Sequence, residues 1–416
     1  MSLLLQHAQQ RLRAFLSEID RALESEFPYP DSRNALLRIR SLSNEQLGRL
    51  DSFVPESDPN VVAQECRIAL ALLFWYLPFI GIIRRSTEIR NSFEAFGPFL
   101  RLAGDVLEPD TSPNERKIEL VLSSEWDYSP FMYDRVQNLE DFLFIGLPAS
   151  ESGNPLLLPL AGHELGHAVW HREDLRKALQ AEVQAAIIDS IGKNWAEYQE
   201  KFAIKITREQ LSTDIFAVAS WRLGVEWCLD QAEETFCDFI GLAIFGECYF
   251  HAFGYILAPG LGRRSVRYPE TLARVQHLVD ASTQLGSQAP NDFISLFEKD
   301  PIAALSPADG FLLKMADLAL ETIIPRLVTA AKTAVGRASI SRSAGEVLVI
   351  RGRFDLLAPA ENCSSIANIL NAGWDAFNDP GLWSGYQNTA GRKAEVLKEL
   401  ILKNLEIYEI EQIQAQ

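Results

Sequence analysis

Apolar and polar positions alternate along the first hundred residues with the spacing of amphipathic helices. The opening segment MSLLLQHAQQRLRAFLSEIDRAL repeats apolar positions every three to four residues, with charges distributed between them, as one helix face against solvent requires. It has neither the basic leading segment nor the small-residue cleavage site of a signal peptide. Residues 1 to about 105 read as helical, broken where Pro, Asp and Ser cluster at Phe27–Ser32 and Ser52–Asn60. Within them Ile68–Ile83 is a run of 16 uncharged residues. It is shorter than the ~20 needed to span a bilayer, and Pro78 and Gly81 interrupt it, so a buried core helix is expected.

The pattern changes at the turn-rich stretch Glu108–Asn114. Two strands are expected beyond it, Lys117–Ser123 from its alternation and Phe142–Leu147 from its short apolar run. After the loop PASESGNP, helical periodicity returns at Leu156, with Pro159 in the first turn, and continues through AGHELGHAVWH into REDLRKALQAEVQ. A second helix is expected over Val225–Tyr249, and Gly254, Pro259, Gly260 and Gly262 mark a break. From Pro269 the chain is mainly helical, punctuated by Pro301, Pro307, Pro325, Pro359 and Pro380, with a strand expected in Gly345–Leu357. The fold class is therefore α+β and mostly helical, in three regions: 1–115, 116–280 and 281–416. No internal repeat or low-complexity tract is visible.

The 416 residues include 47% apolar and 23% charged residues, enough for a large core. With 56 acidic against 39 basic residues, the net charge is −17, which repels phosphate backbones and anionic lipid surfaces. Nucleic acid is not an expected partner, and a membrane is disfavoured. The cysteines Cys66, Cys228, Cys237, Cys248 and Cys363 are odd in number and contain no CxxC pair. They argue for free thiols in a reducing, cytoplasmic compartment.

Only six histidines are present, and two of them form His163-Glu164-Leu165-Gly166-His167. Residues i and i+4 project from one helix face, so two imidazoles there can grip one metal ion. Glu164 is then directed at a water molecule on the ion rather than occupying a ligand position. A third protein ligand would leave a fourth position open, the mark of a catalytic zinc site. His171 extends the same face and reads as flanking. The third ligand is expected from Asp230-Gln-Ala-Glu-Glu234-Thr-Phe-Cys-Asp238, where Glu234 and Asp238 are i and i+4 in a mostly apolar helix. Glu234 is the candidate zinc ligand, with Glu233, Asp230 and Glu247 as rivals. Asp238 is expected to accept a hydrogen bond from the outer nitrogen of a ligating histidine.

At these residues the chain resembles the gluzincin metallopeptidases, with HExxH on one helix and ExxxD on a second. Glu234 lies 67 positions after His167, a spacing that resembles the CAAX-prenyl-protease and HtpX-like group. That group follows with Ser-x-x-His-Pro and an arginine five positions beyond the proline; here Ser265, Pro269 and Arg274 match, and Tyr268 stands in place of the histidine. The resemblance covers about residues 140 to 280. It implies a zincin-like core of a small sheet with the HExxH and ExxxD helices, between helical N- and C-terminal regions.

The implied activity is zinc-dependent hydrolysis of a polypeptide, with Glu164 as general base and Tyr268 or His251 as donor to the oxyanion; Tyr255 is a further rival. Phe142–Leu147 would offer an edge to which an extended substrate adds as a strand. Two other readings are a regulatory zinc-binding interaction protein and a membrane-associated protease with residues 68–83 inserted. The sequence sets no oligomeric state.

Overall fold

The computed structural model describes the chain except residues 1–2, 87–91, 126–130, 134–135, 137, 152, 204, 261–263, 302–304, 339, 385–391 and 416. Helix dominates, with one three-stranded sheet among the described residues. The chain clusters into two units. One is Met1–Leu100 with Glu115–Gly153; the other is Arg101–Asn114 with Asn154–Gln416.

In the first unit, α1 (Leu3–Ala22), α2 (Pro30–Asp51) and α3 (Pro59–Arg85) pack on one another. Helix α1 buries Leu5, Ala8, Leu12, Phe15 and Ile19, the stripe its sequence predicts. Pro30 and Pro59 occupy first turns, where a missing N–H costs nothing, and Asp58 caps α3 by accepting from Asn60 N at 2.8 Å. The expected loops at Phe27–Ser32 and Ser52–Asn60 fall at these junctions.

Helix α3 carries the long apolar run and is long and apolar enough to cross a membrane by length and composition. Its Leu73, Tyr76, Phe79, Ile80 and Ile83 join the core, while Phe74, Trp75 and Leu77 are exposed. It is a core helix on one face only.

The sheet comprises β1 (Glu119–Glu125), β2 (Phe131–Tyr133) and β3 (Phe142–Pro148), in the order β1-β3-β2. Strand β3 runs parallel to β1 and antiparallel to β2. This corrects the expectation that Phe142–Leu147 is an edge. The strand is central, its Phe144–Gly146 segment paired on both sides, because β2, three residues with no strong pattern of their own, covers the second side. Asp31 Oδ2 accepts from Leu120 N at 2.7 Å and ties α2 to β1. A further helix, α4 (Ser92–Leu107), runs from one unit into the other.

The second unit is helical. Its elements are α5 (Ala161–Arg172), α6 (Leu175–Lys193), α7 (Trp195–Phe202), α8 (Ile215–Phe245), α9 (Glu247–Leu257), α10 (Thr271–Ser282), α11 (Pro307–Arg337), α12 (Ala344–Asp355), α13 (Ile366–Asn378) and α14 (Lys393–Gln414). Helix α8 is central, packing against α5, α6, α10 and α11.

Four sequence expectations change here. Pro159 belongs to a 3₁₀ turn, Pro155–Leu160, and the α-helix begins at Ala161. The helix through HELGH does not run on into REDLRKALQAEVQ, because Asp174 adopts a left-handed conformation with φ 50° between α5 and α6. Asp tolerates that conformation without glycine, so no breaker residue announced the turn. The helix expected over Val225–Tyr249 is α8, ten residues longer at its start, and it ends at Gly246, whose φ of 69° starts α9 in a new direction. Asn371 braces that bend, donating to Phe245 O at 2.7 Å and accepting from Cys248 N at 2.8 Å.

The fourth change is the strand expected in Gly345–Leu357, which is helix α12. Ser343 Oγ caps it, accepting from Glu346 N at 3.3 Å, and this local start signal outweighs the β-branched run Val347–Ile350. Of the residues expected to mark the break after α9, Gly262 lies outside the described residues.

Candidate metal centre

Helices α5 and α8 approach closely because glycine lines the contact. A Cβ on Gly166 would lie 2.6 Å from Cys237 Cα, and one on Gly162 would lie 3.0 Å from Gly241 Cα. The contact is antiparallel, since Gly162 meets Gly241 and Gly166 meets Cys237. That register carries His163 and His167 past Asp238, Glu234 and Glu233.

The hydrogen bonds divide the ring nitrogens. His163 Nδ1 is 2.8 Å from Asp238 Oδ1, and His167 Nδ1 is 2.9 Å from Glu233 Oε1. With both Nδ1 atoms engaged as donors to carboxylates, each neutral ring presents Nε2 as a lone pair. The rings sit edge to face, 5.1 Å between centroids. His163 Nε2 is 3.4 Å from Glu234 Oε2, a buried oxygen with no hydrogen-bond partner. His171 Nε2 lies 3.4 Å from Glu233 Oε1.

Asp238 is the hub behind His163. Arg274, from α10, donates to Oδ2 through Nε at 2.6 Å and to Oδ1 through Nη2 at 2.8 Å. Tyr249, from α9, donates its hydroxyl to Oδ1 at 2.8 Å. All three side chains are buried or nearly so. Burial alone would raise the Asp238 carboxyl, but Arg274 and His163 hold it well below the usual carboxylate range. Burial acts the same way on Glu234, where His163, ahead of Arg274 and His167, brings the group below its ordinary value.

Glu164 is 5% exposed, and burial pushes its carboxyl up, with only partial relief from His163 and His167. Burial pulls the His163 imidazole down, yet its hydrogen bond to Asp238 and the neighbouring carboxylates of Glu234 and Glu164 lift it to about 10.

Three buried carboxylates, Glu164, Glu234 and Asp238, with half-buried Glu233 against His167, share this region with one nearly buried guanidinium, Arg274, which is bonded to Asp238. An excess of buried negative charge is costly without a cation. The donor set answers that need: His163, His167 and Cys237 offer ligand atoms within 4.8 Å of one another, and the cluster could hold a metal ion. The Cys237 thiol is pushed well above its ordinary value by burial and then by the same four carboxylates.

The other sequence candidates distribute as follows. Tyr268 lies beside the site. The Arg274 guanidinium is 5.5 Å from its ring centroid, and burial, followed by the charge of Glu234, raises its phenol. His251 stacks on Trp374 at 5.3 Å with Asn378 beside it, and Tyr255 meets the same indole edge-on. Both rings therefore pack against α13. Among the rival carboxylates, Asp230 pairs with Arg176 at 2.8 Å and Glu247 accepts from Gln288 N at 3.0 Å, while Glu233 serves His167.

Sequence reasoning did not foresee Tyr249 on Asp238 or Glu233 on His167. Arg274 was flagged by its place after Pro269, without a role. No family model matches the chain, and no curated protein or solved structure is significantly similar to it.

Proposed function

We propose that the chain is a zinc-dependent endopeptidase in which His163, His167 and Glu234 hold the metal and Glu164 is the general base. The observation that carries this reading is Glu234 Oε2: buried, unpartnered and 3.4 Å from His163 Nε2. Two ligand atoms at about 2.1 Å on a tetrahedral ion stand about 3.4 Å apart. The carboxylate behind each imidazole supports the same reading, since an Nδ1–H to carboxylate bond fixes the tautomer that ligates through Nε2.

Zinc bound there would supply a Lewis acid that brings the pKa of a water molecule toward ~7 and polarises a carbonyl. Glu164, its proton affinity raised by burial, would take the proton of the attacking water and return it to the departing amine nitrogen. Tyr268, whose phenol keeps its proton at neutral pH, would donate to the developing oxyanion. Asp238, Arg274 and Tyr249 would hold His163 in one orientation. The substrate class is a polypeptide, and the zincin-like core and cytoplasmic setting belong to the same proposal.

A second donor set, with Cys237 in place of Glu234, has its own support in the proximity of the thiol to both histidines. Metal content separates them. Zinc is expected at one per chain in the wild type and in Cys237→Ala, and largely lost in Glu234→Ala. Full zinc in Glu234→Ala with loss in Cys237→Ala would reverse the assignment. Casein cleavage abolished by a chelator and restored by zinc tests the activity; a zinc-loaded chain that cleaves neither casein nor a peptide library would leave the regulatory, non-catalytic reading.

A further inference from the structure

Helix α8 carries one face from solvent to the candidate metal centre. Phe216 and Glu234 are 18 positions apart, five full turns of an α-helix, so both point to the same side. Leu223 and Trp227 fall on that side as well, 11 and 7 positions before Glu234. At Glu234 the face is buried against α5, whose His163 Nε2 is 3.4 Å from Glu234 Oε2. Towards the start of α8 it is uncovered. Phe216 is 76% exposed and Leu223 44%, with Ile215 beside them at 80% and Trp227 half-buried.

Neighbouring segments wall this face on both sides as it nears the centre. On one side Arg176, at the start of α6, donates to Glu226 at 2.6 Å and to Asp230 at 2.8 Å. On the other, Gln231 donates to Val266 O at 3.3 Å, and Arg267 Nε is 3.9 Å from Glu234 Oε1. Glu226 and Asp230 flank the Leu223–Trp227–Glu234 line on one edge of the helix and Gln231 on the opposite edge, so the line is the floor of a groove. The wall formed by Val266 and Arg267 continues into Tyr268. The exposed apolar residues do not serve the helix itself. Asp214 already caps it, accepting from Phe216 N and Ala217 N. A lone exposed apolar side chain is ordinary on a protein surface, but here several stand in register with a candidate ligand of the ion.

We propose that this face of α8 binds one flank of an extended polypeptide substrate and selects apolar side chains there. The inference rests on the peptidase reading of the ion-binding residues, which it deepens by naming the kind of sequence recognised. A helix rises about 1.5 Å per residue and an extended peptide about 3.3 Å. Leu223 is then about 16 Å from Glu234 along the axis and Phe216 about 27 Å. These spans equal about five and eight residues of extended substrate, counted from the bond held at the ion. The preferred substrate is an unfolded segment with aliphatic or aromatic residues near those two positions, on one side of the cleaved bond. A peptide too short to reach Leu223 gains nothing from the groove.

Two fluorescein-labelled peptides of about 20 residues test it, long enough to span the groove, one with Leu at every third position and one with Ser in those places. Anisotropy on the zinc-loaded Glu164→Gln chain reads binding without turnover, and the zinc-loaded wild type reads cleavage. The Leu peptide is expected to bind about tenfold more tightly than the Ser peptide. Phe216→Ser with Leu223→Ser, both at exposed positions, should remove that difference and raise KM for the Leu peptide about tenfold. Cleavage of the Leu peptide with the same KM in the double variant would overturn the groove and leave the peptidase reading standing. Binding that depends on Phe216 and Leu223, with neither peptide cleaved by the wild type, would keep the groove as a peptide-binding surface and remove the peptidase reading. A wild-type dimer in sedimentation that the double variant converts to a monomer would assign the face to a second copy of the chain, and would overturn the proposal as well.

Discussion

Arg274 grips both oxygens of Asp238, through Nε at 2.6 Å and Nη2 at 2.8 Å, while Asp238 Oδ1 also reaches His163 Nδ1 at 2.8 Å. The fork matches carboxylate geometry as a lysine ammonium does not. Arg274→Met leaves a buried, uncompensated carboxylate. It is expected to cost about 3–5 kcal/mol in urea unfolding of the metal-free chain. Arg274→Lys should fold and bind zinc roughly 10–100-fold more weakly by chelator competition, because His163 loses its fixed partner. Unchanged affinity in Arg274→Lys would remove Arg274 from the support of the ion.

In the proposed site Glu164 is not a ligand of the ion. In Glu164→Gln, zinc should remain at one per chain while peptide cleavage falls by about 10²–10⁴. Substrate cleavage at the wild-type rate, with zinc still bound, would exclude this carboxylate as the base.

The α5–α8 contact offers a test away from the chemistry. A methyl at Gly166 meets backbone, 2.6 Å from Cys237 Cα, so no rotamer change relieves it. Gly166→Ala should destabilise the chain by about 1–3 kcal/mol as the helices part, and should weaken zinc binding with it. The paired readings are the urea midpoint and the chelator competition. A loss of stability with full zinc affinity would show that the spacing of these helices does not set the site.

The pH dependence follows from His163. In the metal-free chain its folded pKa, about 10, lies above its ordinary value of 6.5. A raised imidazole stabilises fully below 6.5 and loses that contribution as pH rises through about 10. The metal-free chain should therefore become less stable across that window. Zinc must displace the same proton, so its affinity should climb by about tenfold per pH unit there. Chelator competition at pH 7, 8 and 9 measures the slope; a flat profile would contradict the coupling.

The local part of this site was legible because HELGH and the Glu234–Asp238 pair are each contained within one helical turn. Tyr249 and Glu233 were not, because their roles depend on the bend at Gly246 and on the antiparallel register of α5 and α8. Neither is written in a short window. The central position of β3 was hidden similarly, since its partner β2 has only three residues. The error over Gly345–Leu357 was different. Ser343 and Glu346 spell a helix start in the sequence, and the β-branched run that follows drew the opposite reading.

Glu233 and Glu234 are adjacent on α8, so the carboxylate behind His167 and the one beside His163 are carried by a single rigid rod. A rod cannot turn one side without turning the other. Selection or engineering that retunes one of these carboxylates by shifting α8 must accept a displacement of the other.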